Sequence, residues 1–383
     1  MFEVVIGHSN DPDSEEAIAE VLEQCLTELD GITPQAGILY AAIDFEYDLI
    51  LERIYRQFPQ LELIGGTTDG EISSRLGFQE DSLTLMLFCS DEIEIRAGVG
   101  KNVASDSIGA VERAISAAQN THNSEISLCL ALVDGLTGCG VSIIEALKHK
   151  LGTNVPLFGG MTADCLQFKT TYQFCHQQVY TDSIAVLLFS GKLLFSYGVA
   201  NGWQPIGKKQ PVTKVIKNIV YEINNRSVLD FYRYYLKDNF PSLEFPLAVF
   251  DRDTDNFYMR VPNYYDTETG SISFFNEVPL GAKVQIVTTN CDRIISSSQA
   301  SMQQALNNYP GKTPTVGLLF SCATRRNILG TQAEREYQAV YSCLSTNLPT
   351  FGFYTYGEIS PLEEYQETFL HNQAFITLLL GTN

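Results

Sequence analysis

The sequence predicts an α/β fold: duplicated strand-helix units with mixed sheets covered by helices, and pseudo-repeated N- and C-terminal halves. Two observations carry this. Short apolar runs of strand length alternate with longer stretches whose apolar residues recur at helical spacing, the pattern of strand-helix units rather than of a bundle or a sandwich. In addition, a run that ends in Gly-Gly and continues into hydroxyl and acidic residues stands at 63–71 (LIGGTTDGE) and again at 156–164 (PLFGGMTAD), with a looser copy at 349–359 (PTFGFYTYGEI). Repeated units place equivalent loops on one face, so three copies predict a shared cavity.

The elements follow in order. Residues 4–7 make a short apolar strand, and residues 14–29 carry apolar side chains at 18, 21, 22, 25, 26 and 29, a helix with Ser14 as its N-cap and Gly31 as its stop. A second strand (36–43), a second helix (45–58) and the first Gly-Gly strand (61–68) come next, and residues 82–89 and 92–99 read as an antiparallel pair turned at Ser90 and Asp91. The order restarts at Asp106, where Ile108, Val111, Ala114, Ile115 and Ala118 share a helical face. A wholly apolar strand (128–133), a helix (141–151), the second Gly-Gly strand and strands over 168–179, 183–190 and 193–200 follow. The turn-rich stretch 202–207 holds the sole tryptophan, Trp203, and the main boundary falls beyond it. The chain thus divides into 1–205, with two internal repeats of about 1–100 and 101–205, and 206–383. The second part opens with an alternating strand (213–223) turned at Asn224 and Asn225, an aromatic helix (228–236) and strands over 245–251, 257–261, 271–275 and 282–288. A third unit closes the chain: helix 293–309, strand 315–322, helix 332–346, the Gly-Glu strand 350–359 and a last strand 373–380.

Composition narrows the function classes. Lys and Arg total 25 against 45 Asp and Glu, a net charge of −20 that repels phosphate backbones and anionic lipids. Neither nucleic acid nor membrane is expected as a partner. The start lacks a basic region followed by an apolar stretch, and no run approaches the roughly 20 apolar residues of a membrane span, so a cytoplasmic location is the expectation. Nine cysteines, an odd count without repeating spacing, suit free thiols in a reducing compartment. With no Cys-x-x-Cys or His-x-x-x-His pair, no metal is expected, and with no Gly-x-Gly-x-x-Gly between strand and helix and no Walker sequence, no cofactor.

The groups able to carry chemistry cluster at strand ends, where open α/β sheets gather ligands. Asp134 ends one strand, and Cys322 and Arg325 end another inside a polar loop. Arg325 is placed either to clamp a carboxylate bidentately or to pair with Glu334 or Glu336, while Arg326 is assigned to that second, loop-holding role. Glu71 and Glu358 occupy related strands and could divide acid and base work, or could accept from Gly-rich backbone amides or from an Arg; Asp134 and Asp164 have the same choice. Cys322, His371 and Asn372 can be assembled on paper into a nucleophilic set, against the alternative of a small thiol packed in a cleft and turn residues satisfying nearby backbone.

Taken together, the motifs at 63–71, 133–137 (VDGLT), 156–160 with Asp164, 317–325 (GLLFSCATR), 352–359 (GFYTYGEI) and His371-Asn372 resemble the FIST sensory proteins, with their N-terminal and C-terminal FIST domains. One departure is a threonine, Thr324, where the family's Cys-Ala-Gly-Arg turn carries glycine. The resemblance implies a cytosolic small-ligand sensory module in signal transduction, for an amino acid or related metabolite, working through a separate signalling partner protein. An interaction adaptor, or an enzyme using Cys322 or Glu358, is the alternative. The expected ligand-binding set is Gly65, Gly66, Thr67, Asp69, Glu71, Asp134, Gly159, Gly160, Asp164, Cys322, Arg325, Tyr356, Gly357, Glu358 and Asn372. In it Arg325 grips a carboxylate, and the Gly-Gly and Gly-Glu loops form the floor.

Overall fold

Among the described residues, three six-stranded sheets with one common strand order face a single core. The computed structural model describes residues 1–119, 125–237, 239–250, 257–344, 347–362 and 367–382. In the first sheet Phe2–Ser9, Leu83–Ser90, Ala36–Ala41 and Glu62–Thr67 lie side by side in that order. The second sheet runs Glu94–Lys101, Ser183–Ser190, Ile126–Val133, Leu157–Met161, and the third Leu194–Ala200, Phe375–Gly381, Val316–Cys322, Thr350–Thr355. Each sheet has two antiparallel pairings and then one parallel pairing between its third and fourth strands.

The remaining edge of each sheet is filled by a hairpin from another part of the chain. The hairpin after the first Gly-Gly strand (Glu71–Ser73 with Gly77–Gln79) joins the third sheet. The one after the second (Gln173–Cys175 with Gln178–Tyr180) joins the first sheet, and the one after the Gly-Glu strand (Glu358–Pro361 with Thr368–His371) joins the second. This cyclic exchange leaves no unit able to complete its own sheet, so the three are obliged to fold together.

Alternation decides which faces meet. Ile38, Phe88, Leu130, Phe158, Leu318 and Phe353 project from the three sheets into one cluster, each side chain giving about 1.5–3 kcal/mol on burial. The outward faces are covered by helix pairs: Ser14–Leu29 and Tyr47–Gln57 on the first sheet, Ser107–Ala118 and Gly140–Leu151 on the second, Cys291–Asn308 and Glu334–Tyr341 on the third. The first helix is capped by Asp13, which accepts from the Glu15 and Glu16 amides, rather than by Ser14, and it ends at Asp30 in the left-handed region.

Residues 82–89 and 92–99 do not form a hairpin. Leu83–Ser90 lies inside the first sheet, while Glu94–Lys101 crosses to the edge of the second. Its Gly98 and Gly100 rest against the helix Ser107–Ala118, where a Cβ would stand 2.1 Å from the Ala114 oxygen and 1.8 Å from the Ala110 oxygen, so helix and strand are fixed to each other. A long strand over 168–179 is absent as well; residues 164–170 wrap around a carboxylate described below. The polar loop after Val316–Cys322 is a helix, Ala323–Leu329.

Between Leu194–Ala200 and the helix Cys291–Asn308 the chain inserts an eight-stranded sheet, from Gln204–Ile216 to Lys283–Thr288, with the helix Val228–Leu236 packed on Val220, Ile272 and Ile286. Among the described residues no helix is long and apolar enough to cross a membrane.

Candidate functional site

The three parallel strand pairs end at the same pole of the molecule, and their loops are tied to one another in a ring. The Asp69 amide donates to the Tyr354 oxygen at 3.0 Å, the Tyr356 amide to the Met161 oxygen at 3.2 Å, and the Ala163 amide to the Thr67 oxygen at 2.8 Å. Close approach is what the paired glycines permit. A Cβ on Gly66 would stand 2.3 Å from the Thr162 methyl, and one on Gly160 would stand 2.7 Å from the Thr355 hydroxyl. Gly65 and Gly159 are pressed in the same way on the oxygens of Leu39 and Ala131, at 2.3 and 2.0 Å. The Gly-Gly signature thus lets one unit's threonine seat against the next unit's strand.

Beside this ring lies a cavity of about 530 Å³. One side is the second unit's loops, with Gly135, Leu136, Met161, Leu166 and Phe168; another is the third unit's Cys322, Thr324, Tyr356 and Asn372. The inserted sheet and its connections close it with Asn218, Leu243, Val261, Asn263, Phe275 and Asn276. A second cavity, of about 590 Å³, lies beyond the amino end of Leu157–Met161, lined by Pro156, Leu193–Tyr197 and Pro310. The loop-end cavity is the candidate site, because it lies beyond the carboxyl ends of the strands and gathers residues from separate parts of the chain.

The expected residues divide between this cavity and the framework around it. Cys322, Tyr356 and Asn372 line the cavity, and the Asn372 Oδ1 accepts from Asn276 Nδ2 at 3.3 Å. Glu358 lies behind Cys322, fully buried; its Oε2 accepts from the Ala374 amide at 2.9 Å, and its Oε1 has no hydrogen-bond partner among the described residues. Burial pushes the Glu358 carboxyl well above the usual carboxylate range, and burial together with the Glu358 charge pushes the Cys322 thiol up. A thiol, not a thiolate, therefore faces the cavity, which suits hydrogen bonding better than nucleophilic attack.

Arg325 points away from it. Its side chain is wholly buried, with Nε and Nη2 on Glu336 Oε1 at 2.9 and 2.6 Å, Nη1 on the Asn201 oxygen at 2.6 Å and Nη2 also on the Ile294 oxygen at 2.9 Å. Glu336 in turn accepts from Ser321 and Tyr354, so this ion pair ties the third unit's helices to its sheet. Arg326, assigned from sequence to Glu334 or Glu336, instead binds Asp69 at 2.7 Å and Glu80 at 2.6 Å, bridging the third unit to the first. Burial lifts the Asp69 carboxyl to about 6 despite Arg326, and its Oδ1 has no hydrogen-bond partner among the described residues.

Three other carboxylates are closed on protein groups. Glu71 accepts from Thr68 and, through Oε2, from the Ser82 hydroxyl at 2.5 Å and amide at 3.2 Å, while burial lifts it to about 7. Asp134 holds the amides of Leu136 and Asp182 at 2.9 and 3.0 Å. Asp164 collects the amides of Phe168, Lys169 and Thr170 at 2.9, 2.7 and 3.1 Å and the Tyr356 hydroxyl, which curls residues 164–170 into a strap. Thr67 accepts from the Tyr172 amide, and Gly357 donates to Thr355 inside the ring. His371 bonds Ser360 across its hairpin, and burial lowers it to about 4, so it is a neutral structural imidazole. The paper set of Cys322, His371 and Asn372 is not assembled by any hydrogen bond among the described residues.

Sequence reasoning missed the inserted sheet's share of the cavity. Asn218, Asn263, Phe275 and Asn276 sit at turns and strand ends whose composition is ordinary, and only the tertiary placement of the insert gives them a common target.

Comparison with known proteins adds the following. The FIST N domain matches residues 35–226 and the FIST C domain residues 229–361. A search of curated proteins returned no match. Among solved structures, a cyanuric acid hydrolase from A. caulinodans is similar at 8% identity over 100% of both chains, with a TM-score of 0.38. PurLQS from Thermotoga maritima is similar at 11% identity over 100% of this chain and 73% of that one, with a TM-score of 0.24.

Proposed function

The chain belongs to the FIST family, and from that premise we propose that it is a cytosolic sensory module whose small-molecule ligand occupies the 530 Å³ cavity. FIST domains are sensory domains of signal transduction. The observation that carries the reading is the cavity's make-up: its wall is shared by the second unit, the third unit and the inserted sheet. A ligand bridging those three parts changes the free energy of their mutual arrangement, which is what a sensor needs in order to pass occupancy on. The message then goes to a separate partner protein.

A related metabolite suits the cavity better than an amino acid held through Arg325, because that guanidinium is already committed to Glu336. The test is native mass spectrometry of gently purified protein, alongside an Asn263→Trp variant that obstructs the exposed mouth on an edge strand. A small mass present in the native protein, lost on denaturation and missing from the variant is the expected result. No bound mass, together with no thermal shift across a metabolite library, would sink the reading.

A further inference from the structure

No charged side chain lines the cavity: among the described residues of its wall there is no Asp, Glu, Lys, Arg or His. Four asparagines supply most of its polarity, with Thr324 and Cys322 beside them. Asn218 donates to the Phe274 oxygen at 2.7 Å and Asn276 to Asn372 at 3.3 Å. A side-chain amide offers two N–H donors and a carbonyl acceptor, so each of the three keeps capacity for a ligand after these bonds.

The apolar part of the wall includes an aromatic stack. Phe168 stacks on Tyr356 with centroids 5.0 Å apart and planes 19° apart, and on Phe275 at 5.8 Å and 23°. Phe168 sits on the strap 164–170, where Cys165, Leu166 and Phe168 all hold left-handed backbone, with φ of 54°, 57° and 53°. None of them is glycine, and such strain persists only where surrounding structure enforces it; here Asp164 does so through three amides. Strained segments of this kind concentrate at ligand clamps, and this one delivers Leu166 and Phe168 to the cavity.

From the uncharged lining, the asparagine amides and the stacked aromatic wall, we infer that the cavity takes an uncharged planar molecule with amide-type donors and acceptors, a heterocyclic amide or imide, rather than a zwitterionic amino acid. The inference rests on the reading of this cavity as the ligand site. Enclosing a carboxylate or an ammonium group where no counter-charge lines the wall carries a desolvation cost that neutral amides do not incur. Charges near the wall are held by protein groups: Arg325 by Glu336, Arg260 by the backbone oxygens of Glu277 and Leu370, and Asp134 and Asp164 by backbone amides. The volume lies within the range that holds one small molecule.

Matched probes that differ only in charge test this directly. Nicotinamide is compared with nicotinate, and uracil with orotate, by isothermal titration calorimetry at pH 7; L-glutamate and L-alanine represent amino acids. The expected result is that at least one neutral member binds tenfold or more tightly than its carboxylate counterpart and than both amino acids. That binding should be lost in Asn276→Leu and in Asn263→Trp, the second variant guarding against misfolding of the first. Equal or tighter binding of a carboxylate or an amino acid, abolished by Asn263→Trp, would overturn the inference while leaving the ligand site in place. Silence from every probe, with a native-state mass already established as a charged metabolite, would overturn it too. An empty native protein with no hit in the metabolite library would remove the underlying reading instead.

Discussion

Glu71 and Glu358 stand at corresponding places after the first and third Gly-bearing strands, and both are fully buried, yet their surroundings differ. Both Glu71 oxygens have hydroxyl partners, Thr68 on one and Ser82 on the other, and His8 closes the network behind Ser82 at 2.9 Å. Glu358 has one amide, one empty oxygen and a thiol that opens on the cavity. The same kind of position has been closed on itself in the first unit and left incomplete in the third. A buried polar atom without a partner costs stability, and among the described residues Glu358 Oε1 is such an atom, behind the cavity-lining Cys322. The inserted sheet shares the cavity wall with the third unit's loops, while the first unit's carboxylate is closed by Thr68 and Ser82.

The largest effect should come from the sealed side of this contrast. Arg325→Met leaves Glu336 buried without its counter-charge and should cost about 3–5 kcal/mol, measured by urea unfolding. A cost below about 1 kcal/mol would mean that the ion pair is not what ties the third unit's helices to its sheet. Glu71→Ala strands the Ser82 amide and hydroxyl and should cost about 2–3 kcal/mol in the same assay.

Protonation sharpens the comparison. The Glu71 carboxyl is raised from 4.5 to about 7 in the folded protein, so the folded state holds a proton that the unfolded chain has already released. The stability linked to this proton is complete below pH 4.5 and is lost as pH rises through about 7, an effect of up to about 3 kcal/mol. The Glu71 contribution to stability should therefore fall from pH 5 to pH 8, and Glu71→Gln should remove that contribution from the pH profile of the melting temperature. A profile unchanged by the substitution would place the titration elsewhere.

Glu358→Gln should be the mildest change in stability, within about 1 kcal/mol, because only one amide depends on the carboxyl. Its effect should appear in ligand affinity instead. If stability falls as far as in Glu71→Ala with binding untouched, the two glutamates are alike and the contrast fails.

Much of the framework was legible in the sequence because its signals are local. Spacing predicts the helix over 14–29 to the residue, and composition predicts strands over 61–68, 128–133 and 315–322, observed as Glu62–Thr67, Ile126–Val133 and Val316–Cys322. Pairing was not legible. Leu83–Ser90 and Glu94–Lys101 look like a hairpin because alternation reveals a strand without revealing its partner. The glycines are legible as positions of close approach, but their neighbours are not: Gly66 and Gly160 receive threonines from adjacent units, a contact between residues as distant as 66 and 162. Arg325 and Arg326 are adjacent in sequence, and nothing local says that one turns to Glu336 and the other to Asp69. The asparagine-lined wall depends wholly on where the insert docks.

The central claim is that ligand binds where the inserted sheet covers the loops of the second and third units. Its most direct measurement is the affinity of a calorimetrically verified ligand for the wild type and for Asn263→Trp, with melting temperatures recorded for both. The account predicts at least a tenfold loss of affinity with melting unchanged. Full affinity in a folded Asn263→Trp protein would contradict it.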